Sequence, residues 1–316
     1  MNILFITASR IGDAVLSTGL LDYIAQTHPT AKVTIACSPL TQSLFAGYPN
    51  LERVIPMEKK KRHKHWIDLW KGVAGVRWDM VVDLRNSAVS RLIRSKTRHV
   101  YGRRVDRNLH KVQQNASVMK LSSAPSPQLW FTDEQMTQAQ SLIPKGGAVL
   151  GIGPTANWLA KTWPADRFIE VIKQMTGNEG AMPNARVAVF AAPGEEEAAR
   201  QVLASVPADR QIDVIAKTDP GAAAAALSLC DFYIGNDSGL MHCAAAAGTP
   251  VLGLFGPSYP HLYHPWGSNA DYLSTPESFD ELIDYEGYAP ASAPCLMESL
   301  SVEMVMEHLQ NRFDRD

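Results

Sequence analysis

The stretch "DFYIGNDSGLMHCAAAAGTPVLGLFG", Asp231 to Gly256, reads as strand, turn, short helix and strand. Short apolar runs stand at both ends. Between them Asp237, Ser238 and Gly239 make a turn, Leu240 to Ala247 form the helix, and Gly248 closes it. Two strands joined through a helix lie parallel, so this is one unit of an α/β fold. Its alanines allow the helix to pack closely on the sheet. The polar cluster with His242 sits at the carboxyl end of a strand, where ligands bind in such sheets.

Working outward, the same grammar recurs. At the start, "NILFITA" is a strand, "SRIGD" a loop and "AVLSTGLLDYIAQTHP" a helix-period segment. "KVTIACS", "RVIPM", "MVVDLR" and "HVYGRR" follow as strands, and the Ser/Pro-rich "LSSAPSPQLW" approaches a boundary. After the helix "FTDEQMTQAQSLI", the strands "AVLGIGP", "RVAVFAA" and "IDVIAK" lead into the quoted stretch. The expected architecture is α/β: two doubly wound, Rossmann-like domains facing a central cleft. Residues 1–144 form the first domain and 145–297 the second. An amphipathic helix in 298–316 is expected to pack back on the first domain.

Apolar residues make up 46% of the chain and charged residues 20%, which suits folded domains with real cores. No apolar run is long enough to span a membrane, and the start reads as a strand, so a cytoplasmic protein is expected. The cysteines Cys37, Cys230, Cys243 and Cys295 lack CxxC spacing and read as reduced thiols. Charge is divided unevenly. Residues 1–130 carry 20 Lys and Arg against 8 Asp and Glu, and the rest carry 10 against 24. The first half is therefore expected to face something anionic.

Four strand-end loops could carry chemistry. Ser238, Gly239 and the helix start suit a phosphate, and His242 lies one turn on, on the same face as Ser238. In "GPTANWLAKTWP", Thr155 and Asn157 are short polar groups, and Lys161 could offset charge on a departing phosphate. In "AAPGEEEAAR", one of Glu195, Glu196 and Glu197 could face the cleft and bond a ribose diol. In "TASRIGD", Asp13 looks across the cleft, as a general base would. Each residue also has a plainer role: Asp13, Asp237 and Ser238 as helix caps, Lys161 as a surface lysine, the glutamates as partners of a helix dipole.

With these residues in place, the chain resembles the ADP-heptose:lipopolysaccharide heptosyltransferases, glycosyltransferase family 9. The likeness runs in order through "SRIGDAVLSTGLL", "GPTANWLAKTWP", "AAPGEEEAAR" and "NDSGLMHCAAAAGTPVLGLFGPS". It implies a GT-B architecture and inverting transfer of heptose from ADP-heptose to the inner core of lipopolysaccharide. Asp13 matches the family's acceptor-activating aspartate and Lys161 its phosphate-contacting lysine. Glu195 matches the ribose-binding glutamate, and Asp237, Ser238, Gly239 and His242 the donor-binding set. Thr155 and Asn157 match less cleanly. The resemblance implies no cofactor beyond the ADP-sugar substrate and no metal. It implies an anionic acceptor of the lipid A–Kdo type, met by Arg10, Lys61, Arg62, Lys64, Arg103 and Arg104, and peripheral contact with the inner face of the inner membrane.

Competing readings are a nucleotide-sugar epimerase of the same architecture and a family member with a different donor sugar. A nicotinamide oxidoreductase would need a glycine-rich fingerprint, which neither "TASRIGD" nor "GIGPTAN" supplies. Nucleic-acid binding would explain the basic half and leave the strand-end constellation unexplained, so no nucleic-acid partner is expected.

Overall fold

The computed structural model describes residues 1–290 and 292–314. Two parallel sheets organise them. In the first, β1 (Asn2–Ile6), β2 (Lys32–Cys37), β3 (Leu51–Pro56), β4 (Trp78–Asp83) and β5 (Ser95–Val100) lie in the order β3-β2-β1-β4-β5. In the second, β6 (Val149–Gly153), β7 (Arg186–Val189), β8 (Gln211–Asp213), β9 (Phe232–Asn236), β10 (Val251–Phe255) and β11 (Ala270–Ser274) lie in the order β11-β10-β9-β6-β7-β8. In each sheet the winding reverses beside the first strand, between β1 and β4 and between β6 and β9. The loops after those strands open into crevices at the carboxyl ends of the sheets, where doubly wound proteins bind ligands.

The middle strands are the ones the sequence marks clearly. β6, β9 and β10 are buried along their whole length, because helices cover both faces, and such strands read as unbroken apolar runs. Edge strands carry a weaker signal. β5, expected at "HVYGRR", lies several residues earlier over Ser-Lys-Thr-Arg-His-Val, partly exposed at the edge of its sheet. β8 spans only Gln211–Asp213, and β11, also at an edge, has no apolar run to betray it.

The first helix-period segment is two helices, Ile11–Val15 and Thr18–Thr27. The break falls at Ser17, whose hydroxyl donates to the Ala14 carbonyl at 2.7 Å and pairs with Thr7 Oγ1 at 2.7 Å. This short first helix leaves Asp13 near the crevice. The final helix, Val302–Phe313, corrects the expected return to the first domain. Its Val305 and Leu309 are buried in one cluster with Phe168 and Ile172, and Phe313 lies 5.2 Å from the Phe232 ring. It therefore stays on the second domain; residues 315 and 316 lie outside the described residues.

The two halves meet directly. The helix Ile11–Val15 packs against the helix Gly239–Ala246, and one apolar cluster joins Phe45 and Tyr48 to Leu227 and Tyr233. Ser43 seals the same boundary: its carbonyl accepts from Gln135 Nε2 at 2.9 Å and its hydroxyl from the Gly221 amide at 3.0 Å. Among the described residues no helix is long and apolar enough to cross a membrane. All four cysteines are free thiols, three of them buried.

Candidate active site

The loop after β9 turns at Asp237 and Ser238 into the helix Gly239–Ala246. Ser238 holds the N-cap position in extended backbone, yet its hydroxyl caps nothing. That hydroxyl, Thr155 Oγ1, Asn236 Nδ2 and His242 Nδ1 are all buried without a partner. Buried polar atoms normally find partners, so four such atoms at and after the ends of the adjoining strands β6 and β9 mark a place prepared for a polar ligand. Unpaired amides and the positive end of a helix favour an anion there.

Lys161 completes this side. Its ammonium lies 3.2 Å from Asp237 Oδ2, and the two side chains are 18% and 11% exposed. The loop that carries it is tied down on several sides. Asn236 Oδ1 accepts from the Trp163 amide at 2.9 Å, the Trp163 indole donates to the Leu300 carbonyl at 2.7 Å, and the Leu296 amide donates to Ala160 at 2.9 Å.

His242 lies 5% exposed beneath the same surface. Burial holds its imidazole down to about 4; Asp237 and Asp13 pull the other way, while Lys161 and His264 add to the depression. The ring is therefore neutral near pH 7. It abuts Gly12, where a Cβ would come within 2.7 Å of Cδ2. Gly239 makes room for the other domain's helix: a Cβ on it would sit 2.8 Å from the Ile11 side chain.

Across the boundary, Asp13 occupies the first turn of the helix Ile11–Val15, half-buried. It shares a cavity of about 260 Å³ with Arg10, Arg85, Lys111 and Asn115. Arg85 reaches this place because the buried carboxylate of Asp83 accepts from the Arg85 amide at 2.9 Å and the Ser87 amide at 2.7 Å. Lys111 stands 4.8 Å over the Tyr101 ring. Burial lowers its affinity for a proton, nearby Asp13 restores part of it, and Arg107 opposes. Asn115 Nδ2 donates to the Leu16 carbonyl at 3.0 Å, leaving its buried Oδ1 without a partner. Three cations around one carboxylate make a cavity suited to an anionic molecule with a reactive hydroxyl.

The three glutamates separate by position. Glu196 accepts from the Gly194 amide at 3.0 Å and so holds its own turn, while Glu197 is exposed. Glu195 is half-buried at the N-cap; burial pushes the phenol of Tyr233 above its ordinary range, and the nearby charge of Glu195 adds to that. Among the described residues, no group of three or more His, Cys, Asp or Glu side chains could hold a metal ion.

Residues 103–283 match the model of glycosyltransferase family 9 (heptosyltransferase), more than half of the chain. The chain belongs to that family. Lipooligosaccharide heptosyltransferase 2 of Haemophilus influenzae is 24% identical over 356 residues, covering 98% of this chain and 99% of the relative. A solved family 9 glycosyltransferase from Veillonella parvula superposes with a TM-score of 0.81 at 23% identity, over 100% of this chain and 98% of the other. The solved E. coli ADP-heptose lps heptosyltransferase II gives 0.72 at 24% identity, over 100% and 99%. The fold is thus GT-B, and the protein is a glycosyltransferase.

In this family 9 enzyme Asp13, Lys161, Thr155, Asp237, Ser238 and His242 gather around the two crevices, with Glu195 at their margin. Asn157 is exposed. Of the basic residues expected to meet an acceptor, Arg10 lines the Asp13 cavity. Lys61, Arg62, Lys64, Arg103 and Arg104 are exposed and do not line it. Trp66, beneath Arg85 at 5.6 Å, links the segment that follows Lys64 to the cavity's rim. Lys111 and Asn115 were not singled out in the sequence. Their signal was available in "KVQQNASV", a helix with too many polar residues on its buried face.

Proposed function

We propose that this enzyme transfers heptose, with inversion, from ADP-heptose to an anionic hydroxyl-bearing acceptor in the inner core of lipopolysaccharide. The observation that carries the reading is the placement of Asp13, in a cationic cavity of the first domain, against Asp237, Lys161 and His242 of the second. The diphosphate would lie at Ser238 and the start of the helix Gly239–Ala246, with Lys161 and Thr155 donating to it, Asp237 holding sugar hydroxyls and Glu195 the ribose. An acceptor hydroxyl bound in the cavity attacks the anomeric carbon as the bond to ADP breaks. Its proton passes to Asp13, and the charge growing on ADP is offset by Lys161 and the helix end. A single displacement of this kind inverts the anomeric centre.

Arg10, Arg85 and Lys111 would hold the carboxylates or phosphates of a lipid A–Kdo-type acceptor. The exposed Lys61, Arg62, Lys64, Arg103 and Arg104 fit a further role at the anionic leaflet that presents it, on the cytoplasmic side, with peripheral contact only.

The test is incubation with ADP-heptose and a heptose-less lipopolysaccharide, with mass spectrometry and proton NMR of the product. A product gaining one heptose of inverted configuration supports the reading. Donor consumed without an acceptor would favour the epimerase chemistry. Transfer only from another nucleotide sugar would keep the architecture and change the donor.

A further inference from the structure

His110, on the first domain, has both imidazole nitrogens hydrogen-bonded, one within its own helix and one across the domain boundary. It caps the helix Lys111–Val118: Nδ1 accepts from the Val112 amide at 3.2 Å, while its own amide donates to Gln113 Oε1 at 3.1 Å. Because Nδ1 accepts, Nε2 carries the hydrogen, and Nε2 donates to the backbone carbonyl of His264 on the second domain at 2.9 Å. The ring also lies 4.4 Å from the His264 ring and 4.6 Å from Trp266. It is 4% exposed, and burial holds it neutral, with the partial charges of His264 and His242 adding to that and the His264 carbonyl opposing.

The helix that His110 starts carries Lys111 and Asn115, both on the Asp13 cavity. The carbonyl it grips directly follows Tyr263, whose phenol feels the charges of Asp13, Arg10 and Asp237. One ring therefore sets the acceptor side of the first domain against the cleft edge of the second. We infer that His110 is a positioning residue for glycosyl transfer: as a neutral Nε2–H imidazole it pins His264, and so holds Lys111 and Asn115 in register with the donor loop.

This rests on the proposed function, and the experiment separates the two. His110→Asn keeps a good helix cap but cannot reach the His264 carbonyl, and His110→Phe keeps the tilted ring contacts but neither hydrogen bond. Both variants and the wild type are measured for ADP affinity by calorimetry, for acceptor KM and kcat, and for thermal unfolding. Side-chain nitrogen NMR of the wild type reads the tautomer. The expected result is an unchanged ADP affinity in His110→Asn, a kcat/KM for acceptor about tenfold lower, and a neutral Nε2–H signal from the wild type at pH 7. His110→Phe should lose as much or more in kcat/KM. Wild-type turnover in His110→Asn, or an Nδ1–H tautomer, would overturn the inference. A wild type that transfers no sugar while showing the Nε2–H signal would instead sink the functional reading and leave the pin standing.

Discussion

The His242 imidazole of the second domain lies against Gly12 of the first, so close that a methyl group on Gly12 would come within 2.7 Å of it. Beside it, Ile11 fills the space left by the missing side chain of Gly239. Two glycines on opposite helices thus let the helix carrying Asp13 and the helix carrying His242 approach each other. This approach brings a carboxylate from one domain to the loop after β9 of the other.

Gly12→Ala tests that approach. Within a helix, Ala is ordinarily favoured over Gly by about 1 kcal/mol. Here the opposite sign is expected: a lower melting temperature and transfer activity reduced about tenfold or more. A stabilised, fully active variant would show that the two helices do not need this contact.

Lys161→Ala should weaken ADP binding about tenfold or more, because it removes a partly buried cation and leaves the Asp237 carboxylate unpaired. Calorimetry on the single variants and on Lys161→Ala/Asp237→Asn gives the coupling between them. Independent, additive losses would mean that the pair does not act as one unit toward the ligand.

Asp13→Asn separates chemistry from binding. With Asp13 as the base, kcat falls by about a hundredfold or more while ADP affinity stays within about twofold. Calorimetry and steady-state kinetics on one preparation decide it, and an equal fall in ADP affinity would place Asp13 in donor binding instead.

Glu195→Gln and Glu197→Gln, compared for ADP binding, test the division among the glutamates. Loss of affinity in the first, about fivefold, with no change in the second is expected. Loss in Glu197→Gln alone would move the ribose contact by two residues.

Stability should fall with acidity below pH 6.5 in part because of His110 and His242. Burial depresses both to about 4 from 6.5, so between these values the unfolded chain binds protons that the folded chain refuses. Each histidine therefore contributes stability that is complete above about pH 6.5 and is lost toward pH 4, at roughly 1.4 kcal/mol per pH unit. Urea unfolding at several pH values should show His110→Asn with a slope shallower by about one proton. An unchanged slope would mean that His110 does not stay neutral in the folded protein.

The central strands were legible in the sequence because burial on both faces demands unbroken apolar runs, and each ends at a loop whose small and polar residues stand out. Asp13, Lys161, Asp237, Ser238 and His242 could be read from such loops. β5 and β11 could not be placed, because an edge strand may keep polar side chains on its open side without cost. The destination of the final helix was equally hidden: an amphipathic helix shows that it has an apolar face, never which core receives it.

What the sequence alone determined is which residues stand at strand ends, since that follows from local periodicity and turn chemistry. Only the tertiary structure decided what those residues face. Gly239 serves the packing of Ile11, Glu196 is spent on its own turn, Lys111 and Asn115 reach Asp13, and His110 grips His264. Apart from the local turn of Glu196, these are contacts between segments far apart in the chain, and position along the chain carries no information about such contacts until the chain is folded.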